Sequence, residues 1–237
     1  MTTRSEGKRS DHKSRRMAEN IFLFVPNVIG FARVVLALMS FYVMSSRYVL
    51  ATVLYGSSAL LDAFDGMAAR RLNQSTKFGA VLDQLTDRCA TMCLIMVLST
   101  FYPKYMFLFQ LSLIIDIAGH WIHSQTSLML GKTSHKSIDL NENPIMRLYY
   151  TSRPLLFFMC AGNELFYSSL YFLHFTNGPF VTILNIHLIP LLAWVSAPIA
   201  VVKALISCLH AFIAAINLSI IDVNERQSAA QISAKKD

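Results

Sequence analysis

The sequence predicts an all-α protein built into a lipid bilayer as a bundle of six spanning helices. Two observations carry this. Of 237 residues, 54% are hydrophobic and only 15% are charged, against about 25% charged in soluble domains. The apolar residues also fall in runs of about 20, the length needed to cross a hydrocarbon core of roughly 30 Å.

The elements follow in order. Residues 1–20 hold Arg4, Lys8, Arg9, Lys13, Arg15 and Arg16 among polar neighbours and have too little apolar surface to fold alone. They form a basic tail, and no small-residue cleavage pattern marks the apolar stretch that follows as a removable signal. Spans are expected at about 25–45, 49–72, 79–101, 105–130 and 154–175. The stretch 179–221 is read as one long tilted helix entered by an interfacial segment, although Pro190 and Pro198 could break it. The organisation is then a tail (1–20), one six-helix membrane domain (21–221) and a polar tail (222–237).

Charge fixes the orientation. With six spans, one side of the membrane holds both tails, the 73–78 connection and the 131–153 loop. Every Lys and Arg belongs to that side except Arg47 and Lys104 on the other, and Arg33 and Lys203 within spans. Basic residues gather on the cytoplasmic side, so both tails are placed in the cytosol. The same asymmetry accounts for the net charge of +7 without a nucleic-acid partner. Cys89, Cys93, Cys160 and Cys208 all lie in apolar runs and read as small packing residues rather than a disulfide framework.

Four acids stand out within the second and third spans: Asp62, Asp65, Asp83 and Asp87. A charge inside a bilayer costs about 3 kcal/mol on insertion scales, which makes such acids functional candidates. Asp62, Asp65 and Ala69 share one helical face, with Gly66 beside them; Gly79, Asp83 and Asp87 share another. The short connection makes the two helices antiparallel neighbours, so the acidic faces can meet, with small residues leaving room. Asp62 lies about 13 residues into its span, roughly 20 Å from the far side. Apposed carboxylates repel at low dielectric, and hard divalent cations relieve this; Mg²⁺ commonly binds through carboxylates together with substrate phosphates. Arg70 adds a fixed positive charge suited to phosphate. A diphosphate carried on a lipid fits these features.

Other intramembrane polar groups are Arg33, Asn163 and Glu164, read as mutual partners or as cavity lining. Asp116, His120 and His123 form a stripe at i, i+4 and i+7, read as an internal hydrogen-bonded stripe in preference to a metal site. Asn27, after Pro26, is read as the cap of the first span. In the 131–153 loop, Arg153 sits where the fifth span enters the membrane and is the candidate for shaping an acceptor pocket. A polyol acceptor needs several hydrogen-bond donors and acceptors, which Arg, Lys and Asp can supply.

The pattern D-x-x-D-G-x-x-A-R-x8-G-x3-D-x3-D, from Asp62 to Asp87, resembles the signature of the CDP-alcohol phosphotransferase family at every fixed position. The likeness extends to the eukaryotic phosphatidylinositol synthases in residues 20–27, 72–74, 134–140, 149–154 and 161–167, and covers about residues 20–220. The resemblance implies Asp62, Asp65, Asp83 and Asp87 as ligands of Mg²⁺ or Mn²⁺, and Asp87 also as proton acceptor. It implies Gly66, Arg70 and Thr76 as contacts of CDP-diacylglycerol, and transfer of the phosphatidyl group to myo-inositol with release of CMP. A homodimeric six-helix bundle in the endoplasmic reticulum membrane, its active site facing the cytosol, is also implied. The C-terminal Lys235-Lys236-Asp237 is similar to a dilysine retrieval signal but one residue out of register. Membrane prenyltransferases also set aspartates and Mg²⁺ on a lipid diphosphate, but lack the Gly-x-x-Ala-Arg continuation. An ion carrier would not need Arg70. Within the family, glycerol phosphate, serine or choline are alternative acceptors.

Overall fold

A computed structural model describes residues 20–129, 148–149 and 151–234. The basic tail, most of the 131–153 loop and the terminal lysines lie outside them. The described chain contains six long helices: α1 (Val25–Val43), α2 (Tyr48–Arg71), α3 (Lys77–Phe101), α4 (Met106–Met129), α5 (Arg153–Phe175) and α6 (Leu188–Ala234). A short 3-10 turn, Pro103–Tyr105, precedes α4. A two-residue hairpin, β1 (Phe180–Val181) with β2 (Ile186–His187), precedes α6 and pairs Phe180 with His187 and Val181 with Ile186. The chain divides into two compact units, one up to Cys93 and one from Leu94 onward.

In the first unit the packing is inverted relative to a soluble protein. The buried face of α1 is Pro26, Asn27, Gly30, Arg33, Ala37 and Ser40, a stripe of small and polar residues at helical spacing. Its exposed face carries Val28, Phe31, Val35, Leu38, Met39 and Tyr42. Membrane helices meet through small residues and present their bulky apolar ones to lipid; a soluble surface rarely exposes such a patch. Ser40 Oγ donates to the Ala51 carbonyl at 2.8 Å and Ser58 Oγ to the Arg33 carbonyl at 3.0 Å, tying α1 to α2 through hydroxyls.

The turn between α2 and α3 is built by local chemistry. Asn73 takes the left-handed conformation at φ 53, and the Gln74 N–H returns to the Ala69 carbonyl at 3.0 Å. This is a Schellman ending with Asn in the place glycine usually fills. Thr76 then caps α3, its Oγ1 accepting from the Gly79 N–H at 3.0 Å. Gln74 Oε1 reaches across to accept from the Val25 N–H at 3.0 Å, satisfying an orphan donor at the start of α1. Asn27 is therefore not the cap of that helix. It lies inside the first turn after Pro26, is 1% exposed, and donates back to the Ile21 carbonyl at 2.6 Å.

In the second unit α6 packs against α4 and α5. Thr126 Oγ1 donates to the Ala214 carbonyl at 3.2 Å, and Ser112 and Tyr167 share a short hydroxyl contact. Gly162 faces Ile199, where a Cβ would come within 2.6 Å. α6 runs unbroken through Pro198 for 47 residues, about 70 Å at 1.5 Å per residue. A bilayer core takes less than half of that. The helix continues past Ile221, where the apolar pattern stops, through Glu225, Arg226, Gln227 and Ala229–Ala230, good helix formers without Gly or Pro.

Among the described residues, three segments qualify as membrane spans by length and composition: Val25–Val43, Pro103–Thr126 and Leu188–Ala234. α2 and α3 have 24 and 25 residues, long enough to cross, but each carries two of the four acids.

Candidate active site

The acids of α2 and α3 converge in the first unit. Carboxylate oxygens of Asp62, Asp83 and Asp87 lie within 4.8 Å of one another. Helical periodicity brings the two residues of each helix onto one face, and the tight turn at Asn73 sets those faces together. Arg33 of α1 enters between them. Its Nη1 pairs with Asp65 at 2.7 Å and Asp83 at 2.8 Å, and its Nη2 with Asp62 and Asp87, both at 2.7 Å. The four carboxylates differ in access. The Asp65 side chain is 10% exposed, whereas Asp62, Asp83 and Asp87 are 41–44% exposed. Asp65 is thus the most enclosed of the four, and the other three carboxylates are more accessible.

Arg33 is the functional residue whose place the sequence did not give. An arginine in the middle of an apolar helix needs an anionic partner, and Glu164 was as eligible as the aspartates. In the fold, its ion pairs go to the aspartates.

Beside the cluster lies a cavity of about 170 Å³. Pro26, Asn27 and Gly30 line it from α1, Asp65, Gly66 and Ala69 from α2, Gln74 to Thr76 from the turn, and Gly79, Ala80, Leu82 and Asp83 from α3. Asp65 and Asp83 thus belong both to the acidic cluster and to the cavity wall. Pockets that enclose a drug-sized ligand span roughly 300–1,000 Å³, so a bulky ligand would project from this one. Gly79 is required by space: a Cβ there would stand 2.7 Å from Asn27 Oδ1 and 3.1 Å from Thr76 Oγ1. At Gly66 the Arg70 guanidinium lies alongside, its Nη1 3.4 Å from where a Cβ would be.

The candidates from the sequence are thus mostly brought together. Asp65, Asp83, Gly66 and Thr76 line one cavity, Asp62 and Asp87 join them through the Arg33 cluster, and the Arg70 guanidinium lies beside Gly66. Asn27, read as a cap, is instead a wall of the cavity. Arg153 opens α5 after Ser152, in the second unit, and its side chain lies outside the described residues.

The stripe on α4 has another character. His120 Nδ1 lies 2.7 Å from the backbone oxygen of Asp116 and 3.6 Å from its carboxylate. His123 is buried with its ring 4.0 Å from that of His210 on α6. Among the described residues, the one group of three or more His, Cys, Asp and Glu side chains close enough to hold a metal ion is Asp62, Asp83 and Asp87.

Comparison with known proteins places these features. Residues 23–135 match the CDP-alcohol phosphatidyltransferase family pattern. A CDP-diacylglycerol–inositol 3-phosphatidyltransferase from Drosophila melanogaster is 55% identical over 215 residues, 91% of this chain and 93% of its own. The protein of that name from Homo sapiens is 54% identical over 208 residues, 88% and 97% of the two chains. That from Schizosaccharomyces pombe is 41% identical over 234 residues, 93% and 99%. No solved structure matches.

Proposed function

The chain belongs to the CDP-alcohol phosphatidyltransferase family, and we infer that it is a multi-pass membrane enzyme that transfers the phosphatidyl group of CDP-diacylglycerol to myo-inositol, giving phosphatidylinositol and CMP. The observation that carries the reaction is the meeting of the acidic cluster and the cavity at Asp65 and Asp83. The acceptor rests on the names of relatives that match over most of their length.

The donor set fits divalent metal. It consists entirely of carboxylate oxygens, the choice of hard cations such as Mg²⁺ and Mn²⁺. Asp62, Asp65, Asp83 and Asp87 would hold the ions, with Asp65 the most enclosed of the four. When bound, such ions neutralise the diphosphate and stabilise charge on the departing CMP. The residues of the chain do the rest. Arg70, with Gly66 and Thr76, would seat the nucleotide and diphosphate; the Thr76 hydroxyl accepts from Gly79 and keeps its own hydrogen to donate. The Asp87 carboxylate would take the proton from an inositol hydroxyl. That oxygen bonds to the lipid-side phosphorus as its bond to the bridging oxygen breaks, and CMP leaves with that oxygen. Holding the hydroxyl against the phosphorus supplies much of the rate in such transfers. Arg153 would contribute to the acceptor pocket.

The orientation proposed is six spans with both termini and the active site in the cytosol, which the placement of Lys and Arg supports. The compartment proposed is the endoplasmic reticulum, and the assembly a homodimer, both from likeness to the family.

The test is an acceptor screen. With labelled CDP-diacylglycerol in mixed micelles, CMP release should depend on myo-inositol and stay at background with glycerol phosphate, serine or choline. Release driven by one of those instead would move the chain to another branch of the family.

A further inference from the structure

Arg33 is 2% exposed and lies nine residues into α1, where a lone guanidinium is costly. Its two terminal nitrogens engage all four acids of the site at 2.7–2.8 Å. Its Nε is buried without a hydrogen bond. A permanent buried arginine is expected to satisfy its donors, and this one does so only toward the site. The residues it holds include the three whose carboxylate oxygens converge within 4.8 Å. A divalent ion ligated at about 2.0–2.1 Å by those carboxylates would compete with the guanidinium for the same oxygens and the same space.

We propose that Arg33 is the resident counter-cation of the acidic site: it holds the four carboxylates together before metal enters, and yields Asp62, Asp83 and Asp87 to the incoming ions while staying on Asp65. The asymmetry of the cluster supports the direction of the exchange. Asp65 is closed in beside Arg33, whereas the other three carboxylates are open to an entering ion. The Ser58 hydroxyl anchors the Arg33 carbonyl, so the side chain can move while its backbone stays. Without such a cation, carboxylates at this spacing would push α2 and α3 apart in the metal-free chain. The proposal rests on metal binding at these aspartates.

The experiment uses the full chain in detergent, with Mn²⁺ as probe. Free Mn²⁺ is followed by electron paramagnetic resonance during titration, and thermal unfolding is recorded in chelator and in saturating Mn²⁺. Arg33→Met should raise Mn²⁺ affinity about tenfold or more, the equivalent of removing one charged hydrogen-bond competitor. It should lower the unfolding temperature in chelator and lose little of it in Mn²⁺. If Arg33→Met does not fold in chelator, Arg33→Lys replaces it. Lysine keeps the charge but cannot span four carboxylates, so its Mn²⁺ affinity should rise and its loss of stability should again be confined to chelator. An equal loss of stability with and without Mn²⁺, or unchanged or weaker Mn²⁺ binding, would overturn the proposal and make Arg33 a fixed structural link. Wild-type Mn²⁺ binding that survives Asp83→Asn would instead overturn the metal site itself.

Discussion

Two polar stripes lie within apolar helices of this chain, and they end differently. Asp116, His120 and His123 on α4 have spacing as good for metal as that of the aspartates. Yet His120 bonds back to Asp116 of its own helix, and His123 packs against the His210 ring of α6. The aspartates of α2 and α3 receive an arginine from a third helix, and Asp65 and Asp83 border a cavity. One stripe brings no set of three ligands together among the described residues; the other gathers four carboxylates around one guanidinium and keeps three of them accessible. Spacing along one helix makes a ligand set possible. Convergence from two helices, with unbalanced charge and open space, makes it reactive.

The comparison can be broken most sharply at Asp87. Asp87→Asn removes the proposed base and a metal ligand together, and should lower kcat by at least about 10²-fold at any inositol concentration. A kcat within tenfold of wild type would take Asp87 out of the chemistry. Arg153→Ala should act on affinity. Loss of a charged donor to the acceptor is worth roughly 1.5–3 kcal/mol, or about ten- to a hundredfold in the inositol KM, with kcat little changed. If the CDP-diacylglycerol dependence weakens instead, Arg153 belongs to the donor site, and the acceptor pocket is to be sought near Asp116 and His120. The smallest effect is expected from His120→Ala. Its ring lies outside the aspartate cluster, so kcat/KM should stay within about threefold, or about 0.65 kcal/mol of transition-state stabilisation. A loss of tenfold or more would show that the α4 stripe takes part in the reaction.

How far the sequence carried these conclusions follows from which interactions are local. The acidic faces were legible because helical periodicity and a short turn suffice to set Asp62 and Asp65 against Asp83 and Asp87. Thr76 and Asn73 were legible as turn chemistry in principle, since each acts within a few residues. The destination of Arg33 was not, because it depends on which helices α1 meets. Asn27 failed for a related reason: Pro26-Asn27 has the look of a helix start, but the capping oxygen comes from Gln74, 49 residues away. That frees Asn27 to line the cavity. The extent of α6 escaped because hydropathy marks where a helix leaves lipid, not where it ends. Past Ile221 the residues are polar but still favour helix.

The measurement closest to the central claim is CMP release by the purified chain after exhaustive removal of divalent cations. Wild type and His120→Ala alike should fall to background, and Mg²⁺ or Mn²⁺ should restore both, while Asp83→Asn is not restored at the same concentration. Activity that survives metal removal, or that returns in Asp83→Asn but not in His120→Ala, would contradict the placing of the reaction on α2 and α3.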